Sequence, residues 1–80
     1  MNDFHYSVCT GADEAVFHRQ CDALERHIPT LIKIETLVDI DGSITQVYRK
    51  GNARISVHNS NYIGAVYVDS DIDLKPFFVS

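Results

Sequence analysis

The chain has no tryptophan, only two cysteines, two prolines and four glycines in 80 residues, and only seven Lys and Arg against eleven Asp and Glu. Two cysteines cannot build the disulfide framework of a small secreted scaffold. Cys9 and Cys21 lie in no C-x-x-C, and no histidine is spaced to complete a zinc set with them. If Cys9 ends a strand and Cys21 sits about ten residues into the following helix, the rise of 1.5 Å per residue separates them by roughly 15 Å, too far for a disulfide. Both are therefore expected as reduced thiols, Cys21 serving as a small apolar core residue in a reducing, cytoplasmic compartment. The scarcity of Pro and Gly argues against a disordered or fibrous chain. No apolar run approaches the roughly 18 residues of a membrane span, and the polar start Met1-Asn2-Asp3 reads against a signal peptide. A net charge of −4 weighs against nucleic acid as a partner, because such binding rests on phosphate neutralisation.

What remains is 45% hydrophobic and 22% charged, the balance of one small globular domain over residues 1–80. Phe4, Tyr6 and Val8 alternate with His5 and Ser7, so a half-buried first strand is expected over about 3–9. Thr10, with Asp13 three residues on, has the form of a helix N-cap. Phe17, Cys21, Leu24 and Ile28 then fall at i, i+4, i+7 and i+11, one apolar stripe of a helix over 11–28 that Pro29 stops.

Beyond Pro29 the period changes to two, and Ile32 to Ile40 alternate as the longest strand, about 31–40. At Asp41-Gly42 a three-residue loop, Ile40 to Gly42 with Gly42 left-handed, keeps one face apolar, with Val38 opposite Ile44 and Ile34 opposite Tyr48. Gly51-Asn52 joins strands at 43–50 and 53–58 with Tyr48 opposite Ile55, and Asn59-Ser60-Asn61 turns into a last strand at 62–69. The order β-α-β-β-β-β predicts an α+β fold, a single helix on one face of a four- to five-stranded, mainly antiparallel sheet. The first two strands, joined through the helix, should run parallel in that sheet, with a right-handed crossover. One helix covers one face, so Leu31, Leu37, Val47, Val66 and Val68 call for a second cover. Either the tail Pro76 to Val79 folds over them, or a second copy does so in a homodimer.

The charged residues supply two candidate sites. Asp39, Asp41, Asp69, Asp71 and Asp73 stand in loop-like segments, where they can dock a protein partner with a basic surface. The spacing of Asp69, Asp71 and Asp73 resembles the opening of a calcium loop, but Leu74 and Ser80 stand where that loop needs Gly and Glu. On the chosen registers Lys33 faces Arg49 and Arg49 faces Arg54, a row of cations suited to an anion. No catalytic constellation emerges: His18 and Cys21 share a helix face without an orienting third group, and surface positions account for His5, His18, His27 and His58. Tyr6, Tyr48, Tyr62 and Tyr67 read as strand residues with hydroxyls at the core margin. No cofactor is implied. Size, charge and architecture together point to a non-enzymatic interaction module that inhibits or regulates a macromolecule, by analogy with immunity proteins, antitoxins and phage inhibitors. The alternative is a dimeric small-ligand or anion-binding regulatory domain using Lys33, Arg49 and Arg54.

Overall fold

The computed structural model describes residues 4–78. The elements follow the order β1 (Phe4–Thr10), α1 (Glu14–His27), β2 (Ile32–Val38), β3 (Ile44–Lys50), β4 (Ala53–Ser60), β5 (Ala65–Ser70) and a short α2 (Lys75–Phe78). The five strands form one sheet in the spatial order β1-β5-β4-β3-β2, every neighbouring pair antiparallel. Four antiparallel steps leave β1 and β2 pointing the same way, as a helical crossover requires, but from opposite edges of the sheet. None of the described helices is long and apolar enough to cross a membrane.

The helix begins later than Thr10. Gly11 takes a left-handed φ of +86°, and Asp13, in extended backbone, is the N-cap, its carboxylate accepting from Val16 N at 3.1 Å. Asp13 N donates in turn to Asn59 Oδ1 at 2.9 Å, which fastens the cap to β4. At the other end the Ile28 N–H closes the last turn on Leu24 O, and Pro29 prevents continuation. Thr30 then sits at φ +59°, unusual for a β-branched residue, and Lys50 Nζ holds this corner through Pro29 O and Thr30 Oγ1.

The apolar stripe is the core. Phe17, Cys21, Leu24 and Ile28 are at most 7% exposed and pack on Tyr48, Ile55, Val57, Val66 and Val68. The turns explain the registers. Asp39 N donates to Ser43 O around the loop Ile40 to Gly42, with Gly42 at φ +87°, and this sets Val38 opposite Ile44. Gly51 at φ +60° likewise sets Tyr48 opposite Ile55. The last turn differs from the expectation: Asn59 and Ser60 belong to β4, and the chain reverses at 61–64 with Gly64 at φ +73°.

Two further expectations are corrected. A bulge between Lys33 and Glu35 shifts the far end of β2, so Lys33 faces Tyr48 and Ile32 faces Arg49, and Ile34 has no partner in the ladder. Gln46, buried beside the bulge, donates to Glu35 O and accepts from Thr36 Oγ1, giving the irregularity its own polar ties. Val66 and Val68 point to α1 and need no second cover, and Leu31 also packs against that cluster. The tail does not fold over the opposite face: Ile72, Leu74 and Phe77 join the core on the α1 side, with Phe78 against His27. Val79 lies outside the described residues.

Candidate functional site on the open sheet face

Residues directly opposite in an antiparallel ladder share a face, so the pairings define what lies away from α1. One row runs His5, Asp69, Ser56, Val47 and Glu35 from β1 to β2, and the next runs Ser7, Tyr67, His58, Thr45 and Leu37. Arg54 and Arg49 flank the rows at one end. Among the described residues α1 and the 71–78 segment both pack on the other side, and this face stays open.

At its centre the side chains form a connected network. His58 Nδ1 lies 3.0 Å from Thr45 Oγ1, and His58 Nε2 lies 3.4 Å from Asp69 Oδ2. The other carboxylate oxygen, Oδ1, is 2.7 Å from His5 Nδ1. Tyr67 lies beneath both imidazoles, stacked on His58 at 4.5 Å between ring centres and tilted against His5 at 5.2 Å. Burial pushes the His58 imidazole below its ordinary value; Asp69 pulls it back, while His5 and Arg54 push it further down. Burial also raises the Tyr67 phenol, and Asp69 adds to the effect.

Hydroxyl, imidazole and carboxylate in sequence are the parts of a nucleophile, a base and an orienting acid. Thr45, however, stands on an interior strand paired on both sides, its main chain committed to the ladders with β2 and β4. Developing negative charge beside Thr45 would meet none of the free main-chain donors that acyl transfer uses. The network ties four strands, β1, β5, β4 and β3, together through side chains on the open face. Among the described residues no group of three His, Cys, Asp or Glu is arranged to hold a metal ion, the His5–Asp69–His58 line included.

The five acidic candidates separate. Asp39 and Asp41 rim a cleft at one end of the open face, lined also by Thr45, His58, Tyr62 and Tyr67. Both brace their loop: Asp39 Oδ1 accepts from Ile40 N, and Asp41 Oδ1 accepts from Ser43 N, a bond that holds the Asp41 carboxyl below its ordinary value. Asp69 lies within the histidine network. Asp71 and Asp73 turn elsewhere. Asp71 Oδ2 accepts from Arg54 N, while Asp73 caps α2 through Lys75 N, accepts from Tyr6 OH, and is held acidic by those two bonds.

The cation row is broken. Arg49 and Arg54 do face one another, but the bulge turns Lys33 to the helix side, where its ammonium is 3.5 Å from Glu25. Glu25 also accepts from Tyr48 OH at 2.6 Å, so Tyr48 is core with its hydroxyl at the margin, whereas Tyr62 is 90% exposed. Both cysteines are free, Cys21 buried and Cys9 half-buried.

Sequence reasoning treated His58 as a surface histidine and missed the network. A signal was present: the register that puts Tyr48 opposite Ile55 also puts Thr45 opposite His58. The link to Asp69 and His5 needed the β1–β5 pairing, which no local pattern encodes. Compared with known proteins, the chain matches no family model, no curated protein and no solved structure.

Proposed function

We propose that this chain is a non-enzymatic interaction module that binds a protein partner with a basic surface through the open sheet face, and by occupying that partner inhibits or regulates it. The observation that carries the reading is the cleft at the end of that face, where two exposed carboxylates, Asp39 and Asp41, stand beside the aromatic rings of Tyr62 and Tyr67. Solvated acids at a rim steer a basic partner, and the exposed Tyr62 beside them supplies the anchoring contact area. The His58, Tyr67 and Asp69 network holds the floor of the surface in one arrangement, which reduces the ordering cost of docking. Two free thiols suit a cytoplasmic setting.

A photo-crosslinking residue at Tyr62, compared with one at exposed Arg19 on α1, tests the surface in extracts of the source cells. Capture from position 62 and not from 19 is expected. With the captured protein purified, Asp41→Asn should slow association and flatten its salt dependence, because Asn keeps the acceptor oxygen that braces the loop and loses only the charge. Tyr62→Ala should speed dissociation. Capture from position 19 alone, or kinetics indifferent to both substitutions, overturns the reading. Arg49 directly opposite Arg54 favours a second reading, a small anion held between the two guanidinium groups. Phosphate titration followed at the amide signals of residues 49 and 54 decides it.

A further inference from the structure

Between α1, the edge strand β1 and α2 lies a cavity of about 390 Å³, on the covered side of the sheet and away from the open face. Leu24, Val68 and Leu74 of the core form its floor, Val8 and Ala23 its walls, and Phe78 its outer margin. The volume falls in the range of small-molecule sites, about 300–1,000 Å³. Two polar side chains interrupt the apolar lining, Gln20 on α1 and Lys75 on α2. Neither the Gln20 amide nor the Lys75 ammonium has a hydrogen-bond partner among the described residues. Asp73, the acid beside Lys75, has Oδ1 engaged by Tyr6 OH and Lys75 N. The helix itself is sided in charge. Arg19 and Arg26 stand four before and three after Ala23 and share its face, whereas Glu14, Asp22 and Glu25 line the groove on the β2 side.

We propose that this cavity binds a small amphiphilic carboxylate, its apolar body held between α1 and β1 and its head at Lys75 and Gln20. The walls call for the apolar body, because water released from them favours any ligand that replaces it with carbon. The charge of the head follows from an uncommitted amide donor and an uncommitted ammonium at the lining, with two more cations on the adjoining helix face. Size follows too: an apolar cavity of about 150 Å³ takes up benzene, so this one has room for a chain of about ten carbons. An added peptide strand is the poorer occupant. Val8, in the cavity wall, is a bulge in β1 with no ladder partner, and a bulge breaks the even spacing of main-chain groups that strand addition requires. The cavity and the open face lie on opposite sides of the sheet, so this ligand and a docked protein do not compete for the same groups.

Decanoate titrated into the isotope-labelled full chain, with decanol as the uncharged counterpart, is the direct test. Saturable shifts are expected at the amide signals of Val8, Ala23, Val68 and Leu74, and decanol should bind roughly tenfold more weakly. Ala23→Leu fills the cavity from a helix position that accepts leucine, and it should abolish the shifts. Lys75→Gln removes one exposed charge; it should weaken decanoate about threefold and leave decanol unchanged. Circular dichroism of each variant provides the fold control, and the exposed position of Lys75 keeps the second variant decisive even where the first unfolds. A parent with no saturable shift at these signals overturns the proposal, as do shifts that persist in folded Ala23→Leu. Decanol binding as tightly as decanoate, or decanoate binding indifferent to Lys75→Gln, overturns the anionic head.

Discussion

The two faces of the sheet are made by the same strands, residue by alternate residue, and are held by different forces. Under α1, Phe17, Leu24, Ile28, Tyr48, Ile55, Val57, Val66 and Val68 are all at most 3% exposed, and stability there scales with apolar area removed from water. The opposite face has no described element over it and is tied by cross-strand polar pairs, Thr45 to His58 and Asp69 to His5, around Tyr67. In a chain of this size there is one core to lose, so substitutions of exposed residues on the open face should leave the fold standing.

The most severe break in this division is Phe17→Ala. Truncating a buried Phe costs about 3–5 kcal/mol, most of what a small domain has, so the variant should be largely unfolded at 37 °C by circular dichroism. Val47 offers the matched control on the open face: it is just as buried, but lies outside the α1 cluster. Val47→Ala removes two carbons, and a loss of about 1–2 kcal/mol is expected. Val57→Ala, the same truncation within the α1 cluster, should cost more than Val47→Ala, and equal losses at positions 47 and 57 would show that the faces are not energetically distinct.

A polar cut on the covered side comes next. Asn59→Ala leaves the Asp13 N–H without its acceptor at the helix cap, and a cost of about 1–3 kcal/mol should appear as a lower midpoint in urea. The open face should reveal itself through pH. His58 holds its proton less tightly when folded than when unfolded, so unfolding takes up protons in mild acid. Its contribution to stability is complete above the ordinary value of 6.5 and is lost as pH falls through that value toward the lower folded one. Melting temperatures across this range should therefore rise with pH, and His58→Gln should flatten the slope. Asp69→Asn removes the one charge that pulls His58 upward, and the imidazole titration followed by nuclear magnetic resonance should move to lower pH. The smallest effect belongs to Arg49→Thr: relieving like charges opposite Arg54 should raise stability by roughly a few tenths of a kcal/mol, a gain that disappears in high salt.

Local chemistry made much of this architecture readable in advance. The stripe Phe17, Cys21, Leu24, Ile28 names the buried side of α1 because four residues repeat on one helical face. Gly42 and Gly51 fix two hairpins because only a residue tolerant of positive φ closes those turns, and from them come Val38 opposite Ile44 and Tyr48 opposite Ile55. The helix start was missed by three residues because Thr10 and Asp13 are both good capping side chains, and a distant residue, Asn59, supports Asp13. Ile34 bulges where unbroken alternation was expected, and that one residue takes Lys33 from Arg49 to Glu25.

By itself, then, the sequence determined the five strands and α1, their order, the core side of that helix and the two glycine-closed hairpins, but not α2, since the former depend on residues within one turn or one helical repeat of each other. Only the tertiary structure decided that β1 pairs with β5 and that the tail packs beside α1. The same holds for the dispersal of five similar aspartates into a loop brace, a histidine network, a backbone tie and a cap. Those outcomes depend on contacts as much as 68 residues apart, such as Tyr6 with Leu74, or 64 apart, such as His5 with Asp69, whose free energy exists only once the chain has closed on itself.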